Sequence, residues 1–180
     1  RHKAEIKDVI DKACFIVVNK EEMNLRLIDY EGQEVLKYDI ACGRNYGNKD
    51  TLGDCKTPEG IFHINSIEDA SEWGHDFGDG KGKIPGTYGN YFMRLEVPNF
   101  SAIGIHGTHK PESIGTRDSE GCIRLHNENL DELVKHCRVG TPVVITTSRK
   151  DALKGVNADS LMREVMEHEA LMKQQYNRAD

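Results

Sequence analysis

Short runs of apolar and β-branched residues recur along the first 150 positions of the chain and predict β-strands. The runs are Cys14–Asn19, Leu25–Asp29, Val35–Ala41, Gly60–Ile67, Tyr91–Val97, Ala102–His106 and Pro142–Thr147. Glu31-Gly32 separates the second run from the third and predicts a tight turn in an antiparallel meander. Because short turns join the early runs, the pattern predicts a mainly β fold, either a β-sandwich or an open barrel with a largely antiparallel sheet.

Helical periodicity occurs late in the chain. Leu130, Leu133, Val134 and Cys137 fall on one face of a helix that would follow Asn127 or Asn129 as its N-cap. A second helix is predicted from Asp159 to Tyr176, with a methionine-rich apolar stripe that we interpret as a packing surface. The pattern therefore divides the chain into a lead-in at 1–12, one domain at 13–149 and a C-terminal helical extension at 150–180. The extension is expected either to dock on the domain or to mediate pairing between two chains, and the oligomeric state stays open.

Composition narrows the class of partner. The chain has 24 basic and 30 acidic residues, a net charge of −6, and lacks a cluster of basic residues, which argues against nucleic-acid binding. The longest fully apolar run, 13–18, is too short to cross a bilayer, so no membrane span is expected. Five cysteines are too few for a disulfide scaffold. Cys42 and Cys55 flank a polar loop and are a candidate pair, whose closure would contribute roughly 3 kcal/mol.

The segment 103–127 is dense in chemically reactive side chains. His106 ends a predicted strand, and Cys122 follows sixteen residues later between Gly121 and Ile123. A cysteine nucleophile needs a base, a group that orients the base, and donors for the oxyanion. His106 is the candidate base, and a backbone carbonyl in the stretch 107–108 is the candidate orienting group. The Gly121 and Cys122 amides are candidate oxyanion donors, and Arg124 is placed to hold a substrate carboxylate.

The same residues allow simpler interpretations. Cys122 alone fits a buried structural thiol, and His106 fits a histidine satisfied within the core. His106, His109 and Cys122 are also suitable zinc ligands, which leaves a metallohydrolase as an alternative. No fourth ligand or acidic general base is spaced convincingly for that alternative. His109 itself is otherwise an exposed loop residue or a support at the rim of the site.

A glycine-rich stretch, Trp73–Gly89, holds six glycines in 17 residues and predicts an irregular loop with no regular element. It is either a mobile lid over the site or a solvated insertion between strands. If it is a lid, Tyr88 or Tyr91 is expected to lie closest to the site.

Two motifs resemble those of the L,D-transpeptidase catalytic domain family, also called YkuD-like. They are His106-Gly107-Thr108 followed by Ser119-Glu120-Gly121-Cys122-Ile123-Arg124, and the upstream Thr57-Pro58-Glu59-Gly60. The resemblance covers roughly 14–147. It implies a β-rich bacterial cell-wall enzyme that uses no cofactor or metal and acts on peptidoglycan stem peptides. In this family a cysteine attacks the amide between the L-centre at position three and D-Ala at position four, and an amine (transpeptidase) or water (carboxypeptidase) resolves the thioester.

Carried over residue by residue, the resemblance implies Cys122 as nucleophile, His106 as general base and the Gly107 carbonyl as the group that orients it. Gly121 and Cys122 would bind the oxyanion, and Arg124 would support the site or the substrate carboxylate. Further candidate binding residues are Ser119, Thr108, His109, Tyr88 and Tyr91. The substrate implies a location in the periplasm or cell envelope.

One residue departs from the family pattern. Glu120 stands where the family often has histidine, and a carboxylate there disfavours the thiolate by like-charge repulsion. It is expected to pair with Arg117 or Arg124, or to receive the ammonium of diaminopimelate. The departure keeps open a non-catalytic cell-wall binding module. An activated Cys122 would react with thiol reagents well below about pH 8, whereas the thiol of such a module would not.

Overall fold

The computed structural model of the chain describes residues 13–153 and 158–178, so the predicted lead-in at 1–12 lies outside the described residues. The strands are β1 (Cys14–Asn19), β2 (Asn24–Asp29), β3 (Glu34–Asp39), β4 (Cys42–Gly43), β5 (Gly60–Asp69), β6 (Gly74–Asp76), β7 (Lys83–Pro85), β8 (Tyr91–Leu95), β9 (Gly104–His106), β10 (Arg117–Ser119), β11 (Ile123–Arg124) and β12 (Pro142–Thr146). The helices are α1 (Asn127–Val134), α2 (Arg149–Leu153) and α3 (Ala158–Arg178), with a 3-10 turn at Pro111–Ser113.

Eight strands form one curled sheet in the order β11-β9-β8-β5-β12-β1-β2-β3. The β1–β12 and β9–β11 pairings are parallel, and the other pairings of this sheet are antiparallel. Alternate apolar residues of β1 and β2, such as Ile16 and Leu27, are fully buried and belong to the hydrophobic core. The predicted mainly β fold and the β2–β3 meander are confirmed, because period-two burial of β-branched and aliphatic side chains dominates these segments.

The structure corrects the prediction that the glycine-rich stretch contains no regular element. β6 and β7 pair as a small antiparallel hairpin, with His75 opposite Ile84. The turn between them is stabilised by the Asp76 carboxylate, which accepts the Gly78 amide at 2.8 Å. Gly74 permits the close pairing, since a Cβ there would lie 2.7 Å from the Ile84 carbonyl oxygen. The glycines thus provide turns and close approach within a hairpin rather than an unstructured loop.

α1 begins at Asn127, with His126 at the N-cap position, and neither predicted asparagine caps it. The Asn127 side-chain oxygen instead accepts the Thr108 amide at 2.8 Å, which ties the start of α1 to the segment after β9. Leu130 and Leu133 are buried as predicted, and Cys137 lies beyond the end of the helix.

The predicted C-terminal helix is confirmed as α3, but its methionine stripe is not a packing surface within the described chain. Every described side chain at 162–177 is exposed, including Met162, Met166 and Met172. No helix in the described residues is long and apolar enough to cross a membrane.

A buried ionic cluster ties α2 to the ends of β1 and β10. Lys20, fully buried, donates to the carbonyls of Gly47 at 3.1 Å and Thr57 at 2.9 Å and pairs with Glu59 at 2.8 Å. Asp151, also buried, accepts both terminal nitrogens of Arg117 at 2.8 and 2.7 Å. Burial alone would raise the pKa of Asp151, but the hydrogen bond from Arg117 and others hold it well below its usual range.

We expect Asp151→Asn to destabilise the fold by about 3–5 kcal/mol, because it leaves the buried cations of Lys20 and Arg117 short of a partner. The measurement is the free energy of unfolding in urea at pH 7. The matched control is Arg149→Gln on the same helix, which removes an exposed ion pair to Glu21 at 3.7 Å and should cost at most about 1 kcal/mol. Equal effects of the two substitutions would show that the cluster does not stabilise the fold as argued.

Candidate active site

His106 ends β9 with its imidazole buried and in one defined orientation. Its Nδ1 lies 2.6 Å from the Gly107 carbonyl oxygen. Because a carbonyl can only accept, Nδ1 carries the proton, and Nε2 keeps a free lone pair. Burial lowers the pKa of His106 to about 3, against an opposing effect of the Gly107 hydrogen bond. At neutral pH the ring is therefore an uncharged base with a fixed tautomer.

Aromatic rings and a glycine hold this imidazole in place. Phe92 stacks on it with centroids 5.5 Å apart and an interplanar angle of 12°, and Tyr88 packs edge-on at 4.8 Å. The Gly107 amide donates to the Tyr88 carbonyl at 2.7 Å. A Cβ at Gly107 would lie 2.2 Å from the Asn127 side-chain oxygen, so this close approach requires glycine.

Cys122 directly precedes β11, which pairs parallel with β9 so that Arg124 lies opposite His106. Cys122 and His106 line one open cavity of about 910 Å³. The partly exposed Cys122 thiol lies 3.3 Å from the Ala102 carbonyl oxygen, to which it donates. The topology thus brings together, in one cavity, two residues that are sixteen positions apart.

The resting thiol of Cys122 is protonated. Burial raises its pKa to about 11, and the Glu120 charge also raises it, while the Gly104 amide and Arg124 lower it. The cavity thus holds a neutral thiol and a neutral imidazole. The geometry fits deprotonation by His106 during attack, instead of a preformed ion pair.

The turn before Cys122 is held by Ser119. The Ser119 hydroxyl donates to the Cys122 carbonyl at 2.6 Å and accepts the Gly121 amide at 3.1 Å. Gly121 has φ +135°, and a Cβ there would lie 2.9 Å from the Lys56 carbonyl oxygen. Since the Gly121 amide already has an acceptor, an oxyanion at this turn would compete with Ser119 for that donor.

Thr57 shows what the Thr-Pro-x-Gly element does in this chain. Its buried hydroxyl donates to the Gly121 carbonyl at 2.8 Å and accepts the Gly43 amide at 2.8 Å. Its own carbonyl accepts Lys20, so the buried cluster, the Thr57 segment and the Cys122 turn form one hydrogen-bonded path. The sequence marked this element by its resemblance, but not its contact with Gly121.

We expect Thr57→Val to lower the turnover of the stem-peptide substrate that the resemblance implies by about tenfold. It should also lower the free energy of unfolding by about 1–3 kcal/mol, because it leaves buried backbone groups of Gly43 and Gly121 unpaired. Thr57→Ser keeps the hydroxyl and should recover most of the lost turnover. Steady-state kinetics and thermal unfolding of both variants measure this, and a valine variant with unchanged turnover would remove Thr57 from the positioning of the Cys122 turn.

Arg124 forms an ion pair with a carboxylate of the protein itself. Its buried guanidinium pairs with Asp118 at 2.7 Å and lies 3.4 Å from the Ser113 hydroxyl. This favours support of the site over capture of a substrate carboxylate. Glu120, expected to pair with Arg117 or Arg124, instead lies 3.3 Å from Nε2 of His75.

The remaining predicted site residues divide between the cavity and its surroundings. Tyr88 lines the cavity, and the Trp73–Gly89 stretch forms one wall of it. Tyr91 packs against the core, Thr108 is buried and held by Asn127, and His109 is exposed beside Phe77; none of the three is among the lining residues.

Cysteine pairs and metal clusters are absent from the described residues. All five cysteines are free, and the buried Cys42 sulfur lies 3.7 Å from that of Met23, so the candidate Cys42–Cys55 disulfide is not formed. Within 13–153 and 158–178, no group of three His, Cys, Asp or Glu side chains is arranged to hold a metal ion, which leaves the zinc alternative without a site.

Comparison with known protein families fits this arrangement. The family model for the L,D-transpeptidase catalytic domain, YkuD, matches residues 14–145. The chain belongs to this family. YqjB of Bacillus subtilis (strain 168), a protein named for the L,D-transpeptidases, is 29% identical over 164 residues, which cover 89% of this chain and 82% of the relative.

Solved L,D-transpeptidase structures share the fold. The catalytic domain of the E. faecium L,D-transpeptidase superposes with a TM-score of 0.55 at 23% identity, over 75% of this chain and 98% of that chain. An L,D-transpeptidase from Mycobacterium smegmatis gives a TM-score of 0.56 at 19% identity, over 74% of this chain. The superposition spans 58% of the length of the mycobacterial chain.

Several residues around this L,D-transpeptidase-type site were not found by the sequence analysis as site residues. Phe92 stacks on His106, Asn127 holds the segment after Gly107, and Asp118 neutralises Arg124. Asp118 had a weak signal, since it lies within the dense segment 103–127. Phe92 had none, because an aromatic residue in an apolar strand predicts core packing equally well.

Proposed function

We propose that this chain is a cysteine-dependent L,D-transpeptidase that acts on peptidoglycan stem tetrapeptides outside the cytoplasmic membrane. The observation that carries the proposal is the fixed tautomer of His106, whose Nδ1 lies 2.6 Å from the Gly107 carbonyl while Cys122 lines the same cavity. A neutral imidazole with a free Nε2 has the state that a general base requires.

In the proposed acylation, Nε2 of His106 takes the thiol proton as Sγ of Cys122 attacks the carbonyl carbon at position three of the stem. The bond from that carbon to the D-alanine nitrogen breaks, and the imidazolium returns the proton to the leaving amine. A thioester remains on Cys122. The neutral resting pair lets the proton move during attack, so no separated charges need to be maintained in the buried site.

In the proposed second step, an acceptor amine attacks the thioester carbon, His106 takes the amine proton, and the thiol is restored. Water in place of the amine gives the carboxypeptidase outcome with the same residues. The cavity is open, has a volume of about 910 Å³ and is lined by aromatic and charged side chains, which supports room for two peptide segments.

The test is mass spectrometry of tetrapeptide muropeptides incubated with the protein and a free D-amino acid. Incorporation of the amino acid or cross-linked dimers, with loss of D-alanine, supports transpeptidation. Loss of D-alanine alone identifies a carboxypeptidase. Unchanged muropeptides, with no adduct on Cys122 in the intact protein, would overturn the proposal in favour of a non-catalytic cell-wall binding module.

A further inference from the structure

Glu120 presents a carboxylate to the cavity directly beside the Cys122 turn. Its side chain is 48% exposed and lines the cavity. Within 13–153, the ionisable side chain within 4 Å of this carboxylate is His75, at 3.3 Å. Glu120 is therefore a negative charge that a ligand in the cavity can reach.

Three of the four lysine and arginine side chains that line the cavity are paired with other carboxylates, whereas the fourth, Lys83, is in no ion pair among the described residues. Arg124 pairs with Asp118, Arg94 with Glu68 and Lys49 with Asp54. Arg117, which is not among the lining residues, is bound to Asp151. Among the described residues, no lysine or arginine nitrogen, that of Lys83 included, lies within 4 Å of the Glu120 carboxylate, so a cationic group of a ligand can pair with it.

An aromatic wall stands next to this carboxylate. His75 lies 3.1 Å from the Tyr88 hydroxyl, and its ring packs edge-on with Phe77 at 4.5 Å. Trp73 packs edge-on with Tyr88 at 5.9 Å. A carboxylate in a cavity that aromatic rings also line can attract an alkylammonium group by ion pairing, to which cation–π interaction with the rings adds.

We propose that Glu120 and the wall formed by Trp73, His75, Phe77 and Tyr88 are a subsite for a primary ammonium group of the peptide substrate. The identification of that substrate as a stem peptide rests on the proposed function. The ammonium belongs either to the side chain at position three of the donor or to the acceptor. Binding replaces the contact of Glu120 with the imidazole of His75.

This subsite gives the residue at 120 a role in reactivity as well as in recognition. The negative charge of Glu120 raises the pKa of the Cys122 thiol, so an ammonium seated against the carboxylate offsets that effect. A substrate that carries the cation thereby removes part of what raises the thiol pKa, whose main cause is burial, and favours the nucleophile.

The first arm of the test measures D-alanine release from a tetrapeptide with a free side-chain amine at position three and from its N-acetylated form. The proteins are wild type, Glu120→Gln and the control Glu72→Gln, which removes another carboxylate from the same cavity. For an ammonium on the donor, wild type and the Glu72 variant should prefer the free amine by roughly tenfold in kcat/KM, and Glu120→Gln should lose that preference.

The second arm varies an acceptor peptide with a free amine at fixed donor. For an ammonium on the acceptor, Glu120→Gln should raise the KM for the acceptor roughly tenfold while the donor preference is the same in all three proteins. Unchanged donor preference together with unchanged acceptor KM in Glu120→Gln would overturn the subsite.

A binding measurement separates this inference from the proposed reaction. Calorimetric titration of the Cys122→Ser protein, with and without Glu120→Gln, uses the free-amine and acetylated tetrapeptides and the acceptor peptide. Affinity for a free-amine peptide that falls roughly tenfold with Glu120→Gln supports the subsite even if the wild type releases no D-alanine. If the wild type releases D-alanine but Glu120→Gln does not change any peptide affinity, the proposed reaction is retained and the subsite is rejected. If no peptide binds, both proposals are rejected.

Discussion

Replacing Cys122 by serine is expected to reduce D-alanine release by roughly 10⁴-fold or more while the fold stays intact. A serine hydroxyl has a far higher pKa than a thiol and is a weaker nucleophile, so transfer of its proton to the neutral imidazole of His106 during attack is much less favourable. The change from thiol to hydroxyl is nearly isosteric, so thermal unfolding should shift little. The measurement is single-turnover release of D-alanine together with the mass of the intact protein, in which the acyl adduct should disappear.

The control for this substitution is Cys55→Ser. Cys55 lines the same cavity and is also a free thiol. The Cys55 variant should keep the adduct and turnover close to those of wild type. Retained turnover in Cys122→Ser, or loss of the adduct in Cys55→Ser alone, would reassign the nucleophile.

Replacing His106 by glutamine is expected to lower kcat by about 10²–10⁴-fold, with a smaller change in KM. The glutamine amide can still donate to the Gly107 carbonyl, but it has no lone pair on nitrogen to take the thiol proton. Steady-state kinetics of D-alanine release measure this effect. The exposed His136→Gln serves as control and should leave kcat unchanged.

The same variant tests the state of the imidazole through the pH dependence of stability. Because burial lowers the pKa of His106 to about 3, the unfolded chain binds a proton here more readily than the folded chain below about pH 6.5. The stability associated with the neutral ring is therefore full above about pH 6.5 and is lost as the pH falls towards 3. Chemical unfolding at several pH values should show a shallower acid loss for His106→Gln, and an identical acid loss in both proteins would contradict a neutral buried His106.

Much of the sheet could be predicted from the sequence because its strands carry a local signal. The runs at 14–19, 60–67 and 142–147 alternate or concentrate β-branched residues, and each lies within or closely matches an observed strand. The short strands β4, β10 and β11 have two or three residues, too few for a period-two pattern. Their pairing depends on partners distant in the sequence.

The prediction that the glycine-rich stretch contains no regular element was wrong for a related reason. Glycine frequency signals turns and close approach, but it does not say which strands the turns connect. The pairing of His75 with Ile84 and the packing of Tyr88 on His106 come from contacts across the fold. Only those contacts turn the stretch into a wall of the cavity.

The sequence by itself determined the candidate chemistry: a histidine followed by glycine, a cysteine preceded by glycine, and the family these motifs resemble. Local chain geometry explains this, since glycines at 107 and 121 permit backbone approaches that the site requires. Tertiary structure decided the burial, protonation states and ion-pair partners of these residues. It buried the imidazole of His106, kept the thiol of Cys122 protonated, bound Arg124 to Asp118 and left Glu120 facing His75. Burial and contacts between separate segments set these states, and both arise only when the chain folds and its segments pack together.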